Sequence, residues 1–175
     1  PLDHLFAVNT FVDYFSAGRE VSDLVVVSPD VGGIKMARAY AKRLGAGLAI
    51  VDKRRESPEK TEVMHILGNV KGKNVIIIDD IIATGGSMIE AVEILEKRGV
   101  KNVYAVVSHG ILSGDAVIRI KNCSSLNELV ITDSIPLAGA KKISKIKVVS
   151  VGPLLAEAIR RIHDEESISC LFDET

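Results

Sequence analysis

With 175 residues, 47% of them hydrophobic, the chain can bury one well-formed core but not two comfortable ones. Its 22 basic and 23 acidic side chains leave a net charge of -1, and aromatic residues are limited to three tyrosines and four phenylalanines, so neither a polyanion-attracting field nor a base-stacking platform is built in; nucleic acid is not an expected partner. Cys123 and Cys170 form neither a disulfide framework nor a metal knuckle, and neither a signal peptide nor an apolar run near the roughly 18 residues of a membrane span occurs, so a reducing, cytoplasmic setting is expected, away from the membrane.

In chain order, apolar runs of strand length alternate with segments of helical period. DLVVVS (Asp23 to Ser28) is followed by IKMARAYAKRLG, whose apolar residues recur at helical spacing and which stops at Gly45. GLAIVD (Gly47 to Asp52) leads into DKRRESPEKTE, Asp52 to Glu62, where eight of eleven residues are charged, four of each sign. Lacking an apolar stripe, that stretch is expected to be a mobile loop. NVIIIDD (Asn74 to Asp80) precedes SMIEAVEILEKRG, ending at Gly99, and NVYAVVS (Asn102 to Ser108), ELVITD (Glu128 to Asp133) and IKVVSV (Ile146 to Val151) supply three more strands. The last helix lies in VGPLLAEAIRRIHDEES, where Pro153 is tolerable only in the first turn. Strands this continuously apolar are buried on both faces, and their alternation with helices predicts an α/β fold with an open, doubly wound, mainly parallel sheet flanked by helices. Ligands bind at the carboxyl ends of such strands.

Three strand ends carry chemistry. In VIIIDDIIATGGSM (Val75 to Met88), Asp79 and Asp80 end a buried strand, and Thr84, Gly85, Gly86 and Ser87 let the backbone curl so that N–H groups and two hydroxyls face one phosphate at a helix N-terminus. A phosphate would repel the carboxylates, which fit neutral hydroxyls or Mg²⁺ instead, so a phosphorylated sugar satisfies both halves. In VVVSPDVGGIKMAR (Val25 to Arg38), Asp30 is placed to hold a metal, and Gly32 and Gly33 open a helix beside a diphosphate, although Pro-Asp-x-Gly-Gly also suits a simple turn. The chain has no P-loop. DKRR (Asp52 to Arg55) reads locally as a solvated loop; beside two phosphate sites, its cations could instead close over a transferring group.

VIIIDDIIATGGSM resembles the ribose-5-phosphate loop of the type I phosphoribosyltransferases. Taken with PLDHLFA, SPDVGG, DKRR, SHGILSG, TDSIPL and VVSVGPLLAEAIRRIHDEESISCLF, nearly the whole chain resembles the C-terminal half of the ribose-phosphate pyrophosphokinases. The resemblance implies transfer of the β,γ-diphosphate of Mg-ATP to the C1 hydroxyl of ribose 5-phosphate, giving 5-phosphoribosyl 1-diphosphate and AMP. It implies that Asp79, Asp80, Thr84, Gly85, Gly86 and Ser87 hold the sugar phosphate, and that Asp30 binds Mg²⁺ beside a diphosphate bordered by Gly32 and Gly33, with Lys35 as a further phosphate contact. Lys53 and Arg55 become the closing catalytic cations. It also implies a homo-oligomer built from dimers and a missing N-terminal domain. The chain departs from the pattern at Ala83, where many members carry a third acid. Two alternatives stay open: a phosphoribosyltransferase that uses phosphoribosyl diphosphate, and a non-catalytic regulatory or assembly subunit that binds ribose 5-phosphate. None of the four histidines has metal-ligand spacing, and His109, at the ligand edge of a strand, is expected to serve as a structural hydrogen-bonding side chain.

Overall fold

A computed structural model describes residues 2–17, 22–54 and 63–172. Its elements run α1 (Val8–Ser16), β1 (Leu24–Ser28), α2 (Ile34–Leu44), β2 (Gly47–Arg54), β3 (Val63–Leu67), β4 (Asn74–Ile82), α3 (Gly86–Lys97), β5 (Asn102–Gly110), α4 (Ala116–Asn122), β6 (Leu126–Thr132), β7 (Ile146–Val149) and α5 (Gly152–His163). The strands form one sheet in the order β3-β2-β1-β4-β5-β6-β7, parallel except for the β2–β3 pair. The chain winds outward from β1 to β3, then returns past β1 to lay down β4 and the rest. The order therefore reverses between β1 and β4, and a crevice opens there at the strands' carboxyl ends.

Alternation along each strand divides the core in two. Val25, Val27, Val75 and Ile77 pack with α3 and α4 through Ala91, Leu95 and Ile120. Val26, Ile76 and Ile78 face the opposite way, against Phe11 and Phe15 of α1 and Tyr40 of α2. Because both faces of β1 and β4 are covered, their carboxyl ends are among the few parts of these strands open to a ligand.

The helix signals in the sequence are realised. Gly45 closes α2 in the left-handed region at φ +60, and Gly99 follows α3 at φ +72. Pro153 sits in the first turn of α5.

Five elements differ from expectation. α1, β3 and α4 are additions, and the strand carrying the paired acids runs on to Ile82, with Ile81 and Ile82 paired to His109 and Gly110. Asp79 and Asp80 thus stand on ordered strand, and the turn starts only at Ala83. The charged stretch is not a loop from its first residue either: Asp52, Lys53 and Arg54 extend β2, paired with His65, Met64 and Val63. The cause is cross-strand pairing with β3, which local charge does not reveal. Residues 55–62, including Arg55, lie outside the described set. Among the described residues no helix is long and apolar enough to cross a membrane.

Candidate functional site

The β1–α2 turn is built around its own carboxylate. Asp30 Oδ1 accepts the Gly33 N–H at 2.9 Å, and the Ser28 hydroxyl donates to the Asp30 carbonyl at 2.7 Å. A Cβ on Gly33 would come within 2.6 Å of Ser28 Oγ, so any side chain there would have to displace that hydroxyl. The simple-turn role of Asp30 is thus real. It leaves Asp30 Oδ2 with no protein donor among the described residues, and the side chain lines a cleft of about 750 Å³ at the reversal point of the sheet. That volume suits a small-molecule ligand.

Gly32, Gly33 and Lys35 line the same cleft, as do Asp79 and Asp80 from the neighbouring strand. Burial pushes the Asp79 carboxyl up to about 6; the N–H of Asp80, bonded to Asp79 Oδ1 at 2.9 Å, pulls it down, while the side chain of Asp80 and the charge of Asp30 raise it further. Three carboxylates and one lysine favour a cation. Among the described residues no three His, Cys, Asp or Glu side chains converge as a self-sufficient metal cage. The set fits Mg²⁺, which is commonly held by one or two carboxylates plus substrate phosphates.

The Thr84–Ser87 turn lies outside the lining of this cleft, beyond the end of β4. Gly85 is the N-cap of α3 at φ +74, a conformation that favours glycine, and no side chain caps the helix's first turn. The N-terminal N–H groups of α3, together with Thr84 and Ser87, therefore form an anion-receptive end. Lys53 lies on β2 beside Met64, with its side chain outside the described set.

Several contributors were given no ligand-binding role from sequence. His4 and Phe6, with ring centroids 4.5 Å apart, form part of the cleft wall together with Leu154 of α5. At the ends of β5 and β6, His109 Nδ1 pairs with Ser134 Oγ at 2.9 Å, and the buried Thr132 hydroxyl donates to the Ser108 carbonyl at 2.6 Å. His109 has the structural hydrogen bond expected of it. Behind the Thr84 turn, the N–H groups of Ile111 and Leu112 both donate to the Ile82 carbonyl at 3.1 Å, and the Ser113 N–H donates to Ala83 at 2.9 Å. The ILS segment of SHGILSG thus clamps the start of the turn. Its only sequence signal was the motif itself.

The profile of the phosphoribosyl synthetase-associated domain family matches residues 53–173. The chain is similar to ribose-phosphate pyrophosphokinase from Bacillus subtilis, with 52% identity over 172 residues, covering 98% of this chain and 54% of that protein. Its similarity to ribose-phosphate pyrophosphokinase from Clostridium acetobutylicum is 50% over 175 residues, covering 99% of this chain and 54% of that one. Among solved structures, phosphoribosylpyrophosphate synthetase from Mycobacterium smegmatis superposes with a TM-score of 0.86 at 35% identity, covering 94% of this chain and 53% of the other. The chain spans about half the length of the curated relatives it matches.

Proposed function

Because the chain belongs to the phosphoribosyl synthetase-associated domain family, we propose that it is the C-terminal half of a ribose-phosphate pyrophosphokinase, acting in diphosphate transfer from ATP to ribose 5-phosphate. The observation that carries this reading is the shared cleft at the sheet's reversal point, where the Asp30 turn meets Asp79 and Asp80. The C1 hydroxyl attacks the β-phosphorus and loses its proton as the new O–P bond forms. The bond from that phosphorus to the α,β-bridging oxygen breaks, and AMP leaves with the oxygen. No protein nucleophile is required, so the chain's part is positioning and charge stabilisation.

In this reading Thr84, Gly85, Gly86 and Ser87 take the 5-phosphate, and Asp79 and Asp80 accept hydrogen bonds from the ribose hydroxyls. Asp30 would hold Mg²⁺ through its free oxygen, with Gly32, Gly33 and Lys35 bordering the diphosphate; when bound, the metal supplies neutralisation of that group's charge. Such neutralisation is needed, because a bare diphosphate facing three carboxylates would be repelled. Lys53, on an ordered strand, and Arg55 beyond it would bring cations over the transferring group.

The test is to incubate the purified chain with Mg-ATP and ribose 5-phosphate and to quantify AMP and phosphoribosyl diphosphate. Equal formation of both supports autonomous synthesis. Binding of ribose 5-phosphate without product would assign the chain only the sugar site. Absence of binding sinks the reading.

A further inference from the structure

We propose that Arg119, on α4, is a further phosphate-binding residue of the sugar site, gripping the 5-phosphate from the side opposite β4. The inference rests on the reading that the Thr84–Ser87 turn holds that phosphate. Three observations carry it.

The first is attachment. The segment leading into α4 is tied to the turn by the hydrogen bonds from Ile111, Leu112 and Ser113, and a Cβ placed on Gly85 would lie 3.8 Å from Ala116 Cβ. α4 therefore starts about one side-chain methyl away from the N-cap of α3. Arg119 is one helical turn after Ala116, on the same side of α4.

The second is position. Arg119 Nη1 lies 3.3 Å from the point where a side chain on Gly86 would begin, and Thr84 Oγ1 lies 3.9 Å from the same point. Guanidinium and hydroxyl thus flank the first residue of α3. Any larger residue at Gly86 would crowd the arginine.

The third is charge. Arg119 is exposed and makes no side-chain hydrogen bond or ion pair among the described residues. A solvated arginine alone would mean little. This one stands beside a helix N-terminus whose first turn carries neither a side-chain cap nor an acidic residue, so two positive features adjoin. A phosphate dianion there would relieve that repulsion and could accept two parallel N–H bonds from the guanidinium. The contact would act on the phosphate only. It would discriminate ribose 5-phosphate from free ribose and leave the Mg-ATP side untouched.

Calorimetric titration of the 175-residue chain with ribose 5-phosphate, ribose and Mg-ATP tests this, using Arg119→Ala, Arg119→Lys and Gly85→Val. The expected result is that Arg119→Ala weakens ribose 5-phosphate binding roughly tenfold to a hundredfold. Arg119→Lys should recover part of the loss, because it restores the charge but not the fork, and Tm should hold, since the side chain is exposed. Unchanged affinity in Arg119→Ala, alongside loss in Gly85→Val, overturns the role of Arg119 and leaves the turn's assignment standing. Unchanged affinity in both, or no ribose 5-phosphate binding by the parent chain, overturns that assignment and the inference with it. An equal loss of Mg-ATP binding in Arg119→Ala would also overturn the inference, because a contact confined to the 5-phosphate cannot produce it.

Discussion

The two strand-to-helix turns, β1–α2 and β4–α3, use glycine for opposite purposes. At β1–α2 the glycine makes room for the protein's own atoms: Ser28 Oγ occupies the space a Gly33 side chain would need, and Asp30 Oδ1 takes the Gly33 N–H. At β4–α3 the glycine supplies a left-handed N-cap; both helices start without a side-chain cap, but only at α2 does an acid take the N–H of the N-cap residue. The first turn presents a carboxylate, the second presents amides. A turn whose acid takes the N-cap N–H and keeps an oxygen for the cleft suits a cation or a metal-bound anion, whereas a helix end with no acid in its turn suits a bare phosphate. Similar Gly-Gly spellings therefore present different groups at the two strand ends.

Replacing Gly85 by Val should break this contrast most severely. A β-branched side chain at φ +74 is strained by about 1–2 kcal/mol or more, although its Cβ would meet Ala116 only at ordinary contact distance. Ribose 5-phosphate affinity should fall on the order of a hundredfold, measured by calorimetry, while Mg-ATP binding by the other turn changes little; equal loss of both would show that the turns are not separable. Gly33→Ala should cost less, about 1 kcal/mol in urea melts, because the new methyl displaces the Ser28 hydroxyl from its bond to the Asp30 carbonyl. Ser28→Ala should cost a similar amount alone. Added to Gly33→Ala it should cost almost nothing, since the bond is already lost; strict additivity would disprove the close-approach explanation.

Asp79 gives the contrast a pH signature. Its carboxyl is raised to about 6, chiefly by burial, so the folded chain binds the proton more tightly than the unfolded chain does. Stability from this group is therefore present in acid and declines as pH rises from about 4 to about 6, beyond which ionisation penalises the fold. Asp79→Asn should raise Tm near neutral pH, and the gain should vanish by about pH 4. The same change should weaken ribose 5-phosphate binding. A Tm gain independent of pH would sink the burial explanation.

What could be read from the sequence follows from how local each signal is. Val75 to Ile78 are buried on both faces, so the strand was plain from its residue types, as were the acids that end its apolar run. α1 was hidden because VNTFVDYFS is rich in β-branched and aromatic residues and has no side-chain N-cap. At seven residues, α4 is too short to show a helical period. β3 depends on pairing with β2 across the charged stretch, a non-local fact. The same division holds at the site. Asp30, Asp79 and Asp80 advertise themselves as acids after apolar runs, whereas the clamp from Ile111 to Ser113 works through backbone N–H groups and leaves no side-chain trace. The role proposed for Arg119 has no sequence signal for a related reason, since it depends on which helix end the side chain faces.

The smallest expected effect bears on whether the clamp or the turn alone keeps the proposed phosphate site in shape. Lys141 Nζ donates to the Ile111 carbonyl at 2.7 Å, so a side chain from the segment after β6 steadies the residue whose N–H holds Ile82. Leu112, the next link, is fully buried at φ +50, an unfavourable conformation for a leucine that packing and the clamp must maintain together. Lys141→Met keeps most of the stem's packing and removes the charged donor, so it should lower stability by only about 0.5–1.5 kcal/mol. If the clamp sets the shape of the Thr84 turn, ribose 5-phosphate affinity should fall a few-fold with Mg-ATP affinity unchanged, while Lys142→Met, at an exposed neighbour, changes neither. Loss of stability without loss of sugar-phosphate affinity would mean that the left-handed Gly85 alone suffices to hold the site, and the β4–α3 turn would then be as self-contained as its β1–α2 counterpart.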